Sequence, residues 1–271
     1  MYKLLVTDLD GTLLDDHGEL PQENKQYIRK LMDSGMHVAL SSGRSLVSLD
    51  KYEGLLGLYK PGCYGICLNG GIVYDVFTKE VISDTRMSRE TALELIENVR
   101  RAPGFADIGL GIYLGAHVYV EQLNERMLDY AEKAEIELIH ISSFSDITQG
   151  VTKILMYGDN KLLQNICEYS REFTAGKCLT LFSRSSLFEF LPLESGKEHG
   201  LRVLAQNLGI HTSETIAVGD QENDVGMLTL AGLGVAVANA VDSAKSAADY
   251  VSQADNNGSV IKEIAQRFLG M

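Results

Sequence analysis

Residues 6–14 read Val6-Thr7-Asp8-Leu9-Asp10-Gly11-Thr12-Leu13-Leu14, VTDLDGTLL. A short apolar run over 3–7 has the composition of a buried strand, and it ends in two carboxylates two positions apart with a glycine directly after them. Side chains at i and i+2 of an extended strand share a face, so Asp8 and Asp10 can address one ligand while Gly11 lets the backbone turn away. An acidic pair at a strand end also serves as an ordinary cap or turn. Its meaning therefore depends on what the rest of the chain brings to the same place.

Outward from this stretch, 21–34 reads as a helix with Tyr27, Ile28, Leu31 and Met32 at helical spacing and Gly35 as its stop. A strand follows over 36–41. Two more, at 64–68 and 72–74, flank Asn69-Gly70-Gly71, which suits a tight reversal. The tail repeats the rhythm: helix 197–207, strand 215–218, helix 223–230, strand 234–238, strand 248–251 and a last helix carrying Val260, Ile261, Ile264, Ala265 and Phe268. Strands alternating with helices at this spacing predict a doubly wound α/β fold, a parallel sheet covered on both faces.

The middle has another texture. It reads as helix 89–100, two strands around 111–120, helix 123–133, strand 153–157, helix 161–173 and two strands within 179–191, with Gly109, Gly111 and Gly115 marking bends. Paired strands separated by helices predict an α+β module. The expected division is a core of 1–83 and 191–271, with 84–190 inserted as a cap domain.

In an open parallel sheet, ligands bind beyond the carboxyl ends of the strands. Four polar clusters fall at such ends: Asp8/Asp10, Ser41-Ser42-Gly43-Arg44, Asn69-Gly70-Gly71, and Gly219-Asp220 continuing to Asn223-Asp224. Carboxylates converging from separate strands repel one another unless a cation joins them. Hard oxygen ligands without paired His or Cys point to Mg²⁺, which takes one or two carboxylates, a backbone carbonyl, waters and phosphate oxygens. Ser42, neighbouring N–H groups and Lys197 near a helix start can hold the other phosphoryl oxygens. Arg44 is equally suited to contacting substrate or pairing with an acid.

Together and in this order, DLDGTLL, SSGR, LESGKEHG and GDQEND resemble the four signatures of the haloacid dehalogenase superfamily. The Asn69-Gly70-Gly71 turn and the large insertion before Lys197 resemble its Cof-type branch of sugar-phosphate phosphatases. The resemblance spans 3–252, the insertion being matched by position and element order alone. It implies a Rossmann-like core with an inserted cap, and Mg²⁺-dependent hydrolysis of small phosphate monoesters, sugar phosphates first among them, through an aspartyl-phosphate.

Carried onto these residues, it makes Asp8 the nucleophile and Asp10 the general acid and base. Ser42, Gly43, Arg44, Asn69, Gly70, Lys197 and Asn223 become the substrate and phosphate contacts. Asp8, the Asp10 carbonyl and Asp220 become the metal ligands, with Asp224 outside them. One departure is visible: the family's glycine after the lysine is Glu198 here. The alternatives are a phosphotransferase or phosphomutase, and a phosphometabolite sensor without turnover.

Composition bounds the rest. At 271 residues, 45% apolar and 23% charged, the chain is long enough for a large core and too apolar for wholesale disorder. A net charge of −13 disfavours nucleic acid and anionic membranes as partners. The expected partners are a small phosphorylated metabolite and a second copy of the chain in a homodimer. Four cysteines without C-x-x-C spacing, and an N-terminus without a signal-peptide pattern, lead to the expectation of a cytoplasmic protein with reduced thiols. Lys197 does not end a P-loop, since the required glycine five positions before Gly196-Lys197 is Leu191 counting from Gly196. The six histidines are scattered without a metal or triad pattern.

Overall fold

Every side chain of β1 (Leu4–Thr7) is buried, which a strand achieves only with sheet neighbours on both sides and helices on both faces. The computed structural model describes residues 1–115 and 117–271. After β1 come α1 (Gln22–Asp33), β2 (His37–Ser41), α2 (Leu46–Leu56), β3 (Cys63–Cys67), β4 (Ile72–Asp75) and β5 (Val81–Asp84). The middle contains α3 (Arg89–Val99), β6 (Gly109–Leu114), β7 (His117–Val120), α4 (Glu125–Ala134), β8 (Leu138–His140), β9 (Lys153–Tyr157), α5 (Asn160–Thr174), β10 (Leu179–Arg184) and β11 (Leu187–Leu191). The chain closes with α6 (Lys197–Asn207), β12 (Thr215–Gly219), α7 (Val225–Leu230), β13 (Leu233–Ala236), α8 (Asp242–Ala247), β14 (Tyr250–Val251) and α9 (Val260–Phe268).

These elements form two units, Met1–Ser83 with Gly196–Met271, and Asp84–Ser195. In the first, the sheet order is β14-β13-β12-β1-β2-β3-β4-β5. The six strands from β14 to β3 are parallel, and β4 returns antiparallel to β3. Strand order reverses between β1 and β12, so the crevice beyond their carboxyl ends is the topological switch point where doubly wound sheets bind ligands. The α/β fold with a parallel sheet is as the strand-helix rhythm predicts.

The second unit has an antiparallel-rich sheet in the order β10-β11-β9-β6-β7-β8. Its strands alternate between two faces. Ile154 and Met156 of β9 and Phe188 and Phe190 of β11 join Leu95, Ile96 and Val99 of α3 and Leu163 and Ile166 of α5 in one apolar core. The alternate positions carry Lys153 and Glu189, fully buried and paired at 2.8 Å.

Gly109 and Gly111 lie inside β6 rather than at bends. A Cβ on Gly109 would come within 2.7 Å of Met127 Sδ, and one on Gly111 within 3.0 Å of Met127 Cε, so both are small because α4 packs against the strand there. Gly115 does leave β6 with a positive φ of 61°. The helix read at 223–230 is a 3-10 turn, Glu222–Asp224, followed by α7. The strand read at 248–251 is only Tyr250–Val251. Among the described residues, no helix is long and apolar enough to cross a membrane.

Candidate active site

Beyond β1 the ladder continues through the Asp8 N–H, which donates to Val218 O of β12 at 2.8 Å. This fixes the Asp8 side chain beside the segment that leaves β12. Gly11 has φ +78°, and a Cβ there would lie 2.6 Å from Asp220 Oδ2. The glycine therefore both turns the chain and clears room for the second strand's carboxylate. Thr12, fully buried, donates to Asp220 Oδ1 at 2.8 Å, and Gln221 Nε2 donates to Asp220 Oδ2 at 3.0 Å.

Lys197 opens α6 and is 1% exposed. Its Nζ donates to Asp8 Oδ1 at 2.5 Å and to Asp224 Oδ1 at 2.6 Å. The other oxygen of Asp224 accepts the backbone N–H groups of Asp220 at 2.9 Å and Gln221 at 3.0 Å. Asp224 thus clamps the turn after β12 while orienting the lysine. Gly219 must lack a side chain for this, since a Cβ would lie 2.5 Å from Asp224 Cβ.

Burial pushes the Asp8 carboxyl well above the usual carboxylate range; Lys197 opposes the rise and Asp224, Asp220 and Asp10 reinforce it. Burial also raises Asp220, helped by Asp224 and countered by the hydrogen bonds from Thr12 and Gln221. For Lys197, burial works against the charge, but the attraction of Asp224 and Asp8 outweighs it and holds the amine above its ordinary value.

Asp8, Asp220 and Asp224 each offer a carboxylate oxygen, all within 4.8 Å of one another. All three are buried, hard-oxygen donors, the set that suits Mg²⁺. Each already accepts hydrogen bonds: Asp8 from Lys197, Asp220 from Thr12 and Gln221, and Asp224 from Lys197 and two backbone donors.

Asp10 is paired with Arg44, whose Nε and Nη2 donate to its two oxygens at 2.8 and 2.7 Å. This two-point fork settles one of the two roles open to Arg44 in the sequence: it pairs with an acid. Arg44 also donates to Ser48 Oγ at 3.2 Å and sits over the Tyr52 ring, both on α2. Ser42 is buried beyond β2, with its N–H on Ile66 O at 2.8 Å and its Oγ accepting the Arg44 N–H at 3.2 Å. Gly43 packs against the Asn69 amide. Asn69 is fully buried, and its Oδ1 accepts from Asn223 Nδ2 at 3.0 Å. A Cβ on Gly70 would lie 1.9 Å from Gly196 O.

The structure therefore brings Asp8, Lys197, Asp220 and Asp224 into one cluster and ties Asp10 to Arg44 and Asn69 to Asn223. Glu198, the departure from the family pattern, turns its carboxylate against Gly196 and Gly226, where a Cβ would come within 2.3 and 2.6 Å of its oxygens. Sequence reading missed Thr12, Gln221 and Ser48. Thr12 alone left a signal, a hydroxyl between Gly11 and a buried apolar pair.

The family model described as haloacid dehalogenase-like hydrolase matches residues 5–264. The 5-amino-6-(5-phospho-D-ribitylamino)uracil phosphatase YwtE of Bacillus subtilis is 27% identical over 290 residues, covering 99% of each chain. Among solved structures, a haloacid dehalogenase-like hydrolase from Bacteroides thetaiotaomicron is 29% identical with a TM-score of 0.85, covering 99% of this chain and 100% of its own. TM0651 from Thermotoga maritima is 30% identical with a TM-score of 0.84, covering 99% and 98%. A match along nearly the whole length, on a chain whose switch point carries Asp8, Lys197 and Asp220, leads to one conclusion: this protein belongs to the haloacid dehalogenase-like hydrolase family.

Proposed function

We propose that the protein is a phosphatase that hydrolyses monoesters of small phosphorylated metabolites, sugar phosphates in particular, through a phosphoryl group carried on Asp8. The observation that supports this reading most is the seating of buried Lys197 between Asp8 Oδ1 and Asp224 Oδ1, with Asp220 in the same cluster. Lys197 holds one oxygen of Asp8 and leaves Oδ2 to attack phosphorus. A bond forms from Asp8 to phosphorus, the ester P–O bond breaks, and the leaving oxygen takes a proton from Asp10. The Asp10 carboxylate then takes a proton from water, whose oxygen displaces Asp8 and releases inorganic phosphate.

Arg44 orients Asp10 in the resting state, and one of its two bonds opens when Asp10 carries the proton that it gives to the leaving oxygen. Ser42 and Lys197 bind phosphoryl oxygens, with Gly43 allowing close approach of the loop. Asp8, the Asp10 carbonyl and Asp220 would hold Mg²⁺, which when bound offsets the negative charge of the phosphate. The name of the YwtE relative, a phosphatase of a phosphorylated ribityl compound, supports a small metabolite as substrate.

The test is phosphate release from para-nitrophenyl phosphate and a panel of phosphorylated metabolites, using wild type, Asp8→Asn and chelator-treated protein. Hydrolysis lost in Asp8→Asn and after chelation, and restored by Mg²⁺, is expected. Asp8→Asn turning over like wild type sinks the nucleophile. Transfer to added sugars in place of phosphate release makes the protein a phosphotransferase, and binding without turnover across the panel makes it a sensor.

A further inference from the structure

The family resemblance implies Asn69 and Gly70 as phosphate contacts, but the surroundings of Asn69 fit a different task. Asn69 is fully buried and adopts φ +54°, a conformation asparagine tolerates better than most residues. Its N–H donates to Ser42 O at 3.0 Å, and its carbonyl accepts the Gly196 N–H at 2.9 Å. Its side-chain Oδ1 accepts from Asn223 Nδ2 at 3.0 Å. One residue at the end of β3 therefore bonds to the loop after β2, to the residue before Lys197, and to the turn after β12.

Two of these bonds converge on Lys197 from opposite directions. Gly196 immediately precedes the lysine, and Gly70 is packed so closely under it that no Cβ fits. Asn223 precedes Asp224, whose carboxylate receives the Lys197 amine at 2.6 Å. The other amide oxygen in this pair, Asn223 Oδ1, is buried without a hydrogen-bond partner among the described residues, so the bond to Asn69 is what orients the Asn223 amide. A merely space-filling residue would not need this set of partners.

We propose that Asn69 is a positioning residue: it fixes the backbone before Lys197 and, through Asn223, the turn that carries Asp224, and so sets where the lysine amine meets Asp8. The inference rests on hydrolysis at Asp8 as the function. A shift of about 1 Å in a catalytic group costs on the order of 100-fold in rate, and that is the scale expected for losing the side-chain bond.

Asn69→Gly accepts the positive φ and keeps both backbone bonds, removing only the carboxamide. Its kcat on para-nitrophenyl phosphate should fall on the order of 100-fold. Hydrogen exchange in the segments around 196–200 and 220–224 should accelerate. The double variant with Asn223→Ala should lie within about twofold of the worse single variant, since each removes the bond between Asn69 and Asn223. Should Asn69→Gly not fold, Asn223→Ala carries the same test from the other end of the bond.

A kcat close to wild type overturns the proposal, as do losses that multiply in the double variant. Lost activity with unchanged exchange also overturns it, because Asn69 would then act by touching the phosphate. If wild type itself shows no turnover, the proposed function fails instead, and the exchange data alone judge the positioning role.

Discussion

Lys197→Met should destabilise the protein strongly at pH 8 and much less at pH 5. The amine lies 2.5 Å from Asp8 and 2.6 Å from Asp224, and all three side chains are almost wholly buried. At an effective dielectric constant of ~20, unit charges at that distance attract by ~6–7 kcal/mol. Desolvation of the ions offsets several kcal/mol of this, and breaking such a pair by removing one partner costs ~3–5 kcal/mol, because the carboxylates stay behind uncompensated.

The folded pKa of Lys197 is raised above its unfolded value. Its stabilising contribution is therefore full below the unfolded value and fades only as pH rises through the folded one, leaving it intact at pH 8. In the variant, the attraction that opposed the rise of Asp8 is gone, so the Asp8 carboxyl moves higher still. A raised carboxyl contributes stability below its unfolded pKa that is lost as pH rises through its folded pKa. The variant therefore regains ground on wild type as pH falls and Asp8 takes up a proton. Urea unfolding in metal-free buffer at both pH values measures the gap. A gap below about 1 kcal/mol at pH 8, under the ~3–5 kcal/mol of a broken buried pair, or a gap equal at both pH values, refutes the reasoning.

Arg44→Lys, which replaces the two-point fork on Asp10 with a single point charge, should lower kcat roughly tenfold, part of the ~10²–10⁴ that a general acid supplies; steady-state kinetics showing no loss would detach Arg44 from proton transfer. Gly70→Ala must place its Cβ 1.9 Å from Gly196 O at φ +83°. It should cost at least ~1–3 kcal/mol from backbone strain alone, and an unshifted urea midpoint would contradict the close approach. Gln221→Ala removes a donor to Asp220 Oδ2 and, with Asp220 as a proposed metal ligand, should weaken Mg²⁺ binding by ~10-fold in calorimetry; unchanged affinity would leave Gln221 without influence on that carboxylate. Burial pushes the Cys63 thiol up to about 11 and the Cys178 thiol up to about 12. Both should resist maleimide at pH 8 until urea is added, and rapid labelling in the folded protein would contradict their burial.

The four polar clusters were legible because each is a short run of polar and glycine residues at the end of an apolar strand, two of them with carboxylates, a pattern that survives without knowledge of strand order. Their meeting depends on β12 lying beside β1, which no local pattern encodes. Helix α2 escaped notice because exposed Val47 and Leu55 blur the contrast between its faces, although Leu49, Tyr52 and Leu56 are buried at helical spacing. Strand β5 is an exposed edge and β8 has three residues, too little for periodicity to register. Gly109 and Gly111 looked like breaks because sequence shows a missing side chain without showing Met127 filling the space. The partner of Arg44 stayed open for a similar reason: a guanidinium suits a phosphate and a carboxylate alike, and only the fold brings Asp10 within reach.

The pairing of β1 with β12 also sets a timetable. Leu4 is made long before its register partner, Thr215. At ~5–20 residues per second, roughly 10–40 s of synthesis separate the two. Until then β1 has β2 as a neighbour but an open edge on its other side, and Asp8 has neither Lys197 nor Asp224 beside it. Residues 84–195, a continuous stretch with its own apolar core, are complete on the ribosome before that edge is closed. The cluster of Asp8, Lys197, Asp220 and Asp224 thus assembles only after residues 84–195 have been made, and a chain that stops short of Lys197 holds Asp8 without its buried cation.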